Sequence, residues 1–219
     1  MVGKIFFEKN QERSSPFLVN YERFFKGKMP KISSMVLHSY APEWSYEETK
    51  EKLLAIPLEV ARDFAITTYV TGSRLEEVRS NLRPKDISII KISNGEDRIV
   101  VAGYTEKNPY LERRSIPINP LTEKHYTDVL LKIKYDFDPD IPPFMCFTGR
   151  YYQYKIRQYL DIHIHALRHL RVHHMDDLSI PGMKALTPRQ FKDYFGWERI
   201  ETSATYQSRT RSRDLAERT

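Results

Sequence analysis

The most constraining feature of the sequence is a short block of strand pattern set between two helical regions. Residues Ile87–Ile92 are typical of a strand, Asn94-Gly95 of a tight turn, and Arg98–Tyr104 of the strand that returns. Arg113–Ile118 predicts a third strand. Because the three segments follow one another closely, they predict a small antiparallel sheet. A sheet of this kind inside mainly helical sequence indicates the α+β class.

Helical patterns occupy the sequence on both sides of this block. Ahead of it, the spacing predicts a helix over Tyr46–Leu54 and another from Glu59 to Thr71, with Gly72 as its C-terminal cap. A short helix is predicted over Arg74–Ser80. The later predicted helices cover Thr122–Lys134, Tyr151–Ile162, Ile164–His174, Thr187–Phe195 and Thr202–Tyr206. The chain is therefore expected to be mainly α-helical.

Composition excludes several classes of protein. The 219 residues are 40% hydrophobic and 12% aromatic, which is enough apolar material for a packed core. No run of 18 apolar residues occurs, so we expect no membrane-spanning helix. The charged stretch Met1–Asn10 does not have the pattern of a signal peptide. The single cysteine, Cys146, cannot form an intramolecular disulfide, which favours a reducing, cytoplasmic compartment.

The net charge of +6 is distributed unevenly along the chain. Basic residues outnumber acidic ones by 7 to 3 in residues 1–41 and by 13 to 8 in residues 150–219, whereas the middle of the chain is slightly acidic. Five of the seven histidines also fall in the last segment. Clustered positive charge is typical of nucleic-acid binding, although a solvated basic surface gives the same count.

Four short stretches hold the residues whose side chains suggest chemistry. The first is Thr71–Glu77, which reads Thr-Gly-Ser-Arg-Leu-Glu-Glu, and the second is Thr105–Asn108, which places Lys107 in the predicted hairpin. The third is His165–His169, which reads His-Ala-Leu-Arg-His. The fourth is Gly196-Trp197, followed nine residues later by Tyr206. Each stretch alone is a weak signal, but their order and spacing together are specific.

In this order the four stretches resemble the catalytic domain of the tyrosine recombinases, the phage-type and Xer-type integrases. The family pattern is Thr-Gly-x-Arg-x-x-Glu, a hairpin lysine, His-x-x-Arg-His, Gly-His or Gly-Trp, and a tyrosine nine residues further on. The resemblance extends over residues 42–210 and implies a catalytic domain there. It implies that residues 1–41 are an N-terminal segment, either a linker or a remnant of a core-binding domain. Residues 211–219 would be a C-terminal tail, and the segment after Tyr206 is suited in length to exchange between protomers.

The resemblance also implies a role for each matched residue. Arg74 and Arg168 would clamp the two non-bridging oxygens of a DNA phosphate, since guanidinium forks stay charged and bind oxygens in pairs. Tyr206 would attack the phosphorus and form a covalent phosphotyrosine. The remaining candidates are Lys107 as general acid, His165 as a proton-handling or hydrogen-bonding group, Trp197 as an indole N–H donor, and Glu77 and His169 as supporting residues.

Some of these assignments have alternatives in the sequence. Lys91 on the preceding strand could replace Lys107, because hairpin lysines are usually only solvated. Arg113 or Arg114 could also contact a phosphate. Arg74 could instead form a plain surface salt bridge with Glu77.

The histidine-rich segment also admits a metal-binding interpretation. His165, His169 and His173 lie at helical spacing on one face, and two histidines at that spacing can bind zinc. Asp176 and Asp177 could complete such a site. Because no His-Glu-x-x-His motif is present and the recombinase interpretation uses two of the histidines, we expect no metal site. The stretch Leu170–His174 departs from the small, hydroxylated residues that relatives usually have there.

The functional expectation is a site-specific DNA recombinase or integrase that cleaves and rejoins DNA through a 3′-phosphotyrosyl intermediate. The resemblance implies no metal, nucleotide or other cofactor. It implies double-stranded DNA with a specific attachment site as partner, a homotetramer on two such sites, and no membrane. The expected location is the cytoplasm of a prokaryotic cell, or of the host of its virus or plasmid, at the nucleoid when active. The alternatives are a type IB topoisomerase and a non-catalytic DNA-binding protein with a helix-turn-helix over Leu186–Tyr206.

Overall fold

The structure is a computed structural model that describes residues 42–105, 113–199 and 201–202. These residues form an α+β fold, which confirms the predicted class. The helices are α1 (Tyr46–Leu54), α2 (Glu59–Thr71), α3 (Lys124–Asp136), α4 (Gly149–Leu160), α5 (Ile164–Asp176) and α6 (Pro188–Phe195). A π-helical segment (Glu77–Asn81), a 3-10 turn (Pro84–Asp86) and the strands β1 (Ile87–Lys91), β2 (Asp97–Tyr104) and β3 (Arg113–Ile118) lie between α2 and α3. No helix in the described ranges is long and apolar enough to cross a membrane.

The three strands form the predicted antiparallel sheet in the order β1-β2-β3. Ile99 lies opposite Ile89 on one side and Ile118 on the other. Alternate residues of β2 and β3 are buried, which is the pattern of a sheet with one face on the core. The turn predicted at Asn94-Gly95 is present: Gly95 has a φ of 81° and its N–H donates to the Ile92 carbonyl.

Helix α2 lies at the centre of the core. It packs against α1, α3, α4 and α5, and all nine residues from Asp63 to Thr71 are buried. Its buried threonine hydroxyls find hydrogen-bond acceptors within the helix, since Thr67 and Thr71 each donate to the carbonyl four residues earlier, at 2.7 and 2.6 Å. The Phe64 ring stacks on Tyr152 of α4 at 3.9 Å. The end of α2, and hence the start of the Arg74 loop, is therefore held firmly in the core.

The predicted helix bounds are confirmed within about two residues where the structure describes them, and two differences have clear causes. Helix α4 starts at Gly149 rather than Tyr151, because the Thr148 side chain accepts the Tyr151 N–H and caps the helix. The short helix predicted over Arg74–Ser80 is mostly a π-helix, Glu77–Asn81. Its wider turn is common near functional sites. Of the helix predicted over Thr202–Tyr206, only Thr202 belongs to the described residues.

Candidate active site

Arg74 lies in a loop that begins where α2 ends. Gly72 ends the helix in the left-handed conformation, with a φ of 58°. Two residues later, the Arg74 Nη1 donates to Glu77 Oε1 and the Arg74 N–H donates to Glu77 Oε2, both at 2.8 Å. The Arg74 side chain is 23% exposed, whereas that of Glu77 is 1% exposed. Because the carboxylate is buried, this is not the plain surface salt bridge of the alternative interpretation.

The buried carboxylate of Glu77 remains ionised at neutral pH. Burial alone would raise its pKa, but the nearby guanidiniums of Arg114, Arg168 and Arg74 hold that pKa below its usual range. The hydrogen bond from the Arg74 N–H acts in the same direction. One carboxylate therefore lies among three arginines, and the surroundings keep a net positive charge. Such a site favours an anion such as a phosphate diester.

Arg168 connects α5 to both the Arg74 loop and the end of α6. Its Nη1 donates to the Gly72 carbonyl at 2.5 Å, and its Nη2 donates to the Phe195 carbonyl at 2.7 Å. The guanidinium also lies over the Phe195 ring, 5.4 Å from the centroid. The whole residue is only 2% exposed. Arg168 thus supplies a buried positive charge and joins the third stretch to Gly72 of the first and to Phe195, the residue before the fourth.

The fourth stretch, Gly196-Trp197, begins directly after Phe195, whose carbonyl binds Arg168. Helix α6 ends at Gly196 with a φ of 63°, and the Trp197 ring stacks on Phe195 at 5.0 Å. A methyl group at Gly196 would lie 2.9 Å from Thr105 Cγ2, so the beginning of the β2–β3 connection packs directly against this glycine. Lys107 follows two residues later and lies outside the described residues, as does Tyr206.

The two candidate histidines lie one turn apart on α5. Their rings meet edge to face, with centroids 4.8 Å apart. Burial and the positive charges of His169, Arg168 and Arg74, in that order, lower the pKa of His165 to about 4. His165 is therefore neutral at pH 7 and can accept a proton or a hydrogen bond. In the described part of the chain, no group of three or more His, Cys, Asp or Glu side chains is arranged to hold a metal ion.

The alternative basic residues differ in position: Lys91 and Arg113 lie away from Arg74 and Arg168, whereas Arg114 is buried beside Glu77. Lys91 is exposed and lies opposite Asp97, at the far end of β2 from Thr105. Asp97 and Thr105 are eight residues apart along the strand, so at about 3.3 Å per residue Lys91 lies roughly 26 Å from Thr105. Arg113 is half-exposed and pairs with Asp86 at 2.6 Å. Arg114 is buried against Ser73 and Glu77, so its side chain is part of the protein interior, contrary to the alternative in which it contacts phosphate directly.

Lowering the pH from 7 toward 4 is expected to destabilise the domain through its buried histidines. The pKa of His165 falls to about 4, and burial lowers the pKa of His174. The unfolded chain, with an ordinary histidine pKa near 6.5, therefore binds these protons first. Stability from the neutral histidines is present above pH 6.5 and is lost as pH falls toward 4. Urea unfolding between pH 7 and 4.5 measures this loss.

Matched glutamine variants identify the groups responsible for that loss. His165→Gln should flatten the dependence of the unfolding free energy on pH, because it removes one of the depressed pKa values. His125 is exposed on α3, so His125→Gln should leave the slope as it is in the wild type. A slope that is unchanged in His165→Gln would contradict the assignment.

Alanine at Gly72 is expected to destabilise the fold in two ways. The left-handed backbone costs about 1–2 kcal/mol for a residue with a Cβ. The new methyl would also lie 2.3 Å from Phe195 Cε1, and overpacking of this kind costs about 1–3 kcal/mol. Gly95→Ala is the matched control, because Gly95 has a φ of 81° and nothing within 4 Å of its added Cβ. Urea unfolding should show a clearly larger loss for Gly72→Ala, and equal losses would contradict this packing.

Comparison with known proteins gives a structural likeness and no family assignment. No protein-family model and no curated protein matches the chain. One solved structure that matches is the Tn1549 transposon integrase in complex with a circular intermediate DNA. The two share 15% sequence identity with a TM-score of 0.43, over 99% of this chain and 76% of that one. At this level the likeness does not establish function, which has to be inferred from the chain's own residues.

Proposed function

We propose that residues 42–210 form the catalytic domain of a tyrosine recombinase that cleaves and rejoins double-stranded DNA. The supporting observation is that the bonds of Arg168 and the contact of Thr105 with Gly196 bring the described parts of the four sequence stretches together. Arg168 binds the carbonyl of Gly72 in the first stretch and that of Phe195 beside the fourth. Thr105, which opens the second stretch, packs against Gly196. These contacts between residues far apart in sequence support the proposal.

In this proposal the two arginines stabilise the transition state in different ways. Attack on a phosphodiester adds negative charge to the non-bridging oxygens, and fixed positive groups placed there lower the barrier. Arg74 is partly exposed and can donate directly to an oxygen. Arg168 is 2% exposed, so in this conformation its guanidinium can stabilise a phosphate only electrostatically, without a direct hydrogen bond. A direct hydrogen bond from Arg168 requires the segment at Phe195 to move away when DNA binds.

The covalent steps need no external energy source, because each step breaks one phosphoester bond and forms another. The Tyr206 oxygen forms a bond to phosphorus as its proton leaves, and the bond from phosphorus to the 5′-oxygen breaks. Lys107 gives a proton to the departing 5′-oxygen. A 5′-hydroxyl then attacks the phosphotyrosine and reverses these events, which rejoins the strand. Neutral His165 can accept the tyrosine proton or bind a phosphate oxygen, and the Trp197 indole can donate a hydrogen bond but cannot carry a proton.

The substrate is double-stranded DNA with a specific attachment site, and the active species is a homotetramer on two such sites. Glu77 and His169 support Arg74 and His165. We place the reaction in the cytoplasm of a prokaryotic cell, at the nucleoid, in the service of a virus, plasmid or other mobile element.

The test is a search for a covalent adduct without metal. The wild-type chain is incubated in EDTA with a library of supercoiled plasmids that carry randomised inserts, and the reaction is stopped with SDS. We expect protein attached to DNA, with the DNA on the peptide that contains Tyr206. DNA binding without any adduct would favour the non-catalytic alternative. Relaxation by a monomer without strand exchange would favour a type IB topoisomerase.

A further inference from the structure

The side chain of Arg114 is buried at the point where the sheet meets the candidate active site. It comes from β3 and is 1% exposed. Its Nη2 donates to Ser73 Oγ at 2.7 Å and to Glu77 Oε2 at 3.3 Å, while Nη1 donates to the Tyr194 carbonyl. A buried cation is costly unless a carboxylate and hydrogen-bond acceptors compensate it. Here Glu77 and Ser73 supply the carboxylate and one acceptor from the Arg74 loop, and Tyr194 supplies a second acceptor from the end of α6.

One arm of the Arg114 fork acts on the Arg74 loop. Glu77 Oε2 accepts from the Arg74 N–H as well as from Arg114, and Glu77 Oε1 accepts from the Arg74 guanidinium. Two arginines therefore share one carboxylate. Arg114 fixes the position of that carboxylate, and the carboxylate fixes both the backbone and the side chain of Arg74.

The other arm acts on the end of α6. Tyr194 precedes Phe195, whose carbonyl accepts from Arg168. The planar fork of Arg114 therefore spans the gap between the Arg74 loop and the segment that Arg168 binds. Glycines make room for it: a methyl group at Gly103 would lie 3.2 Å from Arg114 Nε, and one at Gly196 would lie 3.1 Å from Arg114 Cδ. Since Arg114 is enclosed on these sides, its fork has little freedom to shift.

We propose that Arg114 is a positioning residue that sets the distance between Arg74 and Arg168 without touching the DNA. This inference rests on the proposed function, because it assumes that both arginines act on one phosphate. Lysine cannot replace Arg114 in this role. Its single ammonium is a point charge on a flexible stem and cannot reach acceptors on two segments in a fixed geometry.

The experiment measures the rate of adduct formation by Arg114→Lys under single-turnover conditions, together with DNA affinity. We expect the rate to fall on the order of 10²-fold, the loss typical of a displacement near 1 Å, with DNA affinity nearly unchanged. Arg98→Lys is the matched control. Arg98 is an ion-paired arginine at the opposite end of β2, bound to Glu96 and Asn119, and its replacement should leave the rate unchanged.

A double-variant cycle separates positioning from a general structural role. If Arg114 acts through Arg74, Arg114→Lys should slow the reaction far less in an Arg74→Ala background than in the wild type. The same fold-loss in both backgrounds would overturn the proposal. Amide hydrogen exchange adds a readout that needs no activity: exchange at the Arg74 N–H should accelerate in Arg114→Lys and stay slow in Arg98→Lys.

Two further outcomes are distinguishable. If Arg114→Lys does not fold, Ser73→Ala removes only one of the Arg114 hydrogen bonds, and it should slow adduct formation by a smaller factor in the same direction; an unchanged rate would overturn the proposal. If the wild type forms no adduct at all, the proposed function fails. In that case unchanged exchange at the Arg74 N–H in Arg114→Lys would still overturn the positioning role separately.

Discussion

Replacing Tyr206 by phenylalanine is expected to abolish the covalent protein–DNA adduct and to leave DNA binding in place. Phenylalanine keeps the ring and its packing volume but has no oxygen to attack phosphorus. Binding depends mainly on the positive charge and the arginines, which the variant retains. The measurement is the yield of SDS-resistant adduct in EDTA, beside a binding titration at fixed salt.

Three of the fourteen tyrosines are poor candidates for the nucleophile on physical grounds. Tyr46, Tyr69 and Tyr126 lie in the core, where burial raises the pKa of each phenol and disfavours the phenolate. A buried phenol of this kind is a poor nucleophile and is out of reach of DNA. Tyr135→Phe is a suitable control because Tyr135 is 67% exposed, and it should leave the adduct yield unchanged. An adduct that persists in Tyr206→Phe would contradict the assignment of the nucleophile.

Local sequence signals predicted most of the fold because each depends on a few neighbouring residues. Gly72 and Gly196 end α2 and α6 in the left-handed conformation that glycine adopts most easily. Thr187 caps α6 through its hydrogen bond with the Gln190 N–H. The strand bounds follow from Asn94-Gly95 and from alternating apolar residues. These features need no knowledge of the tertiary structure. The predicted Gly72 cap and Asn94-Gly95 turn are confirmed, and the caps at Gly196 and Thr187 are local features of the same kind.

The interior of the candidate site was harder to predict, because its partners are distant in sequence. Arg114 lies 37 residues from Glu77, and no local pattern indicates that the two are buried together. The segment Leu170–His174 departs from the small, hydroxylated residues of the family pattern, and the partners that explain it are also distant in sequence. His174 Nδ1 bonds the Tyr69 hydroxyl and its Nε2 bonds the Trp44 carbonyl, both at 2.8 Å. A buried polar network thus occupies the place where the family pattern has small residues.

The centre of that network is an ion pair between Arg171 on α5 and Glu123 before α3. Arg171 is 1% exposed and Glu123 5% exposed. Both carboxylate oxygens bind the guanidinium, which also donates to the Tyr194 hydroxyl at 3.2 Å. Tyr194 in turn donates to the Val70 carbonyl at 2.9 Å. The pair therefore supports α2 and α6 where they approach Arg168.

Glu123→Gln is expected to lower the free energy of unfolding by about 3–5 kcal/mol, because it leaves the Arg171 charge buried without a counter-charge. The double variant Glu123→Leu with Arg171→Met should cost much less, since it removes both charges and keeps apolar volume in their place. Asp128→Asn is the control for the amide change. Asp128 pairs with Lys124 at 2.9 Å on the surface, where a pair is worth roughly 0.3–0.5 kcal/mol.

Urea unfolding of the four proteins decides whether charge compensation or packing holds this region together. If the double variant is more stable than Glu123→Gln, the single variant is destabilised by its uncompensated charge. If the double variant is as unstable as the single one, the hydrogen bonds to Glu123 and Tyr194 contribute more than the compensation. In either case the loss should also slow adduct formation, because Arg171 lies one helical turn from Arg168 and Tyr194 precedes the Phe195 carbonyl that Arg168 binds.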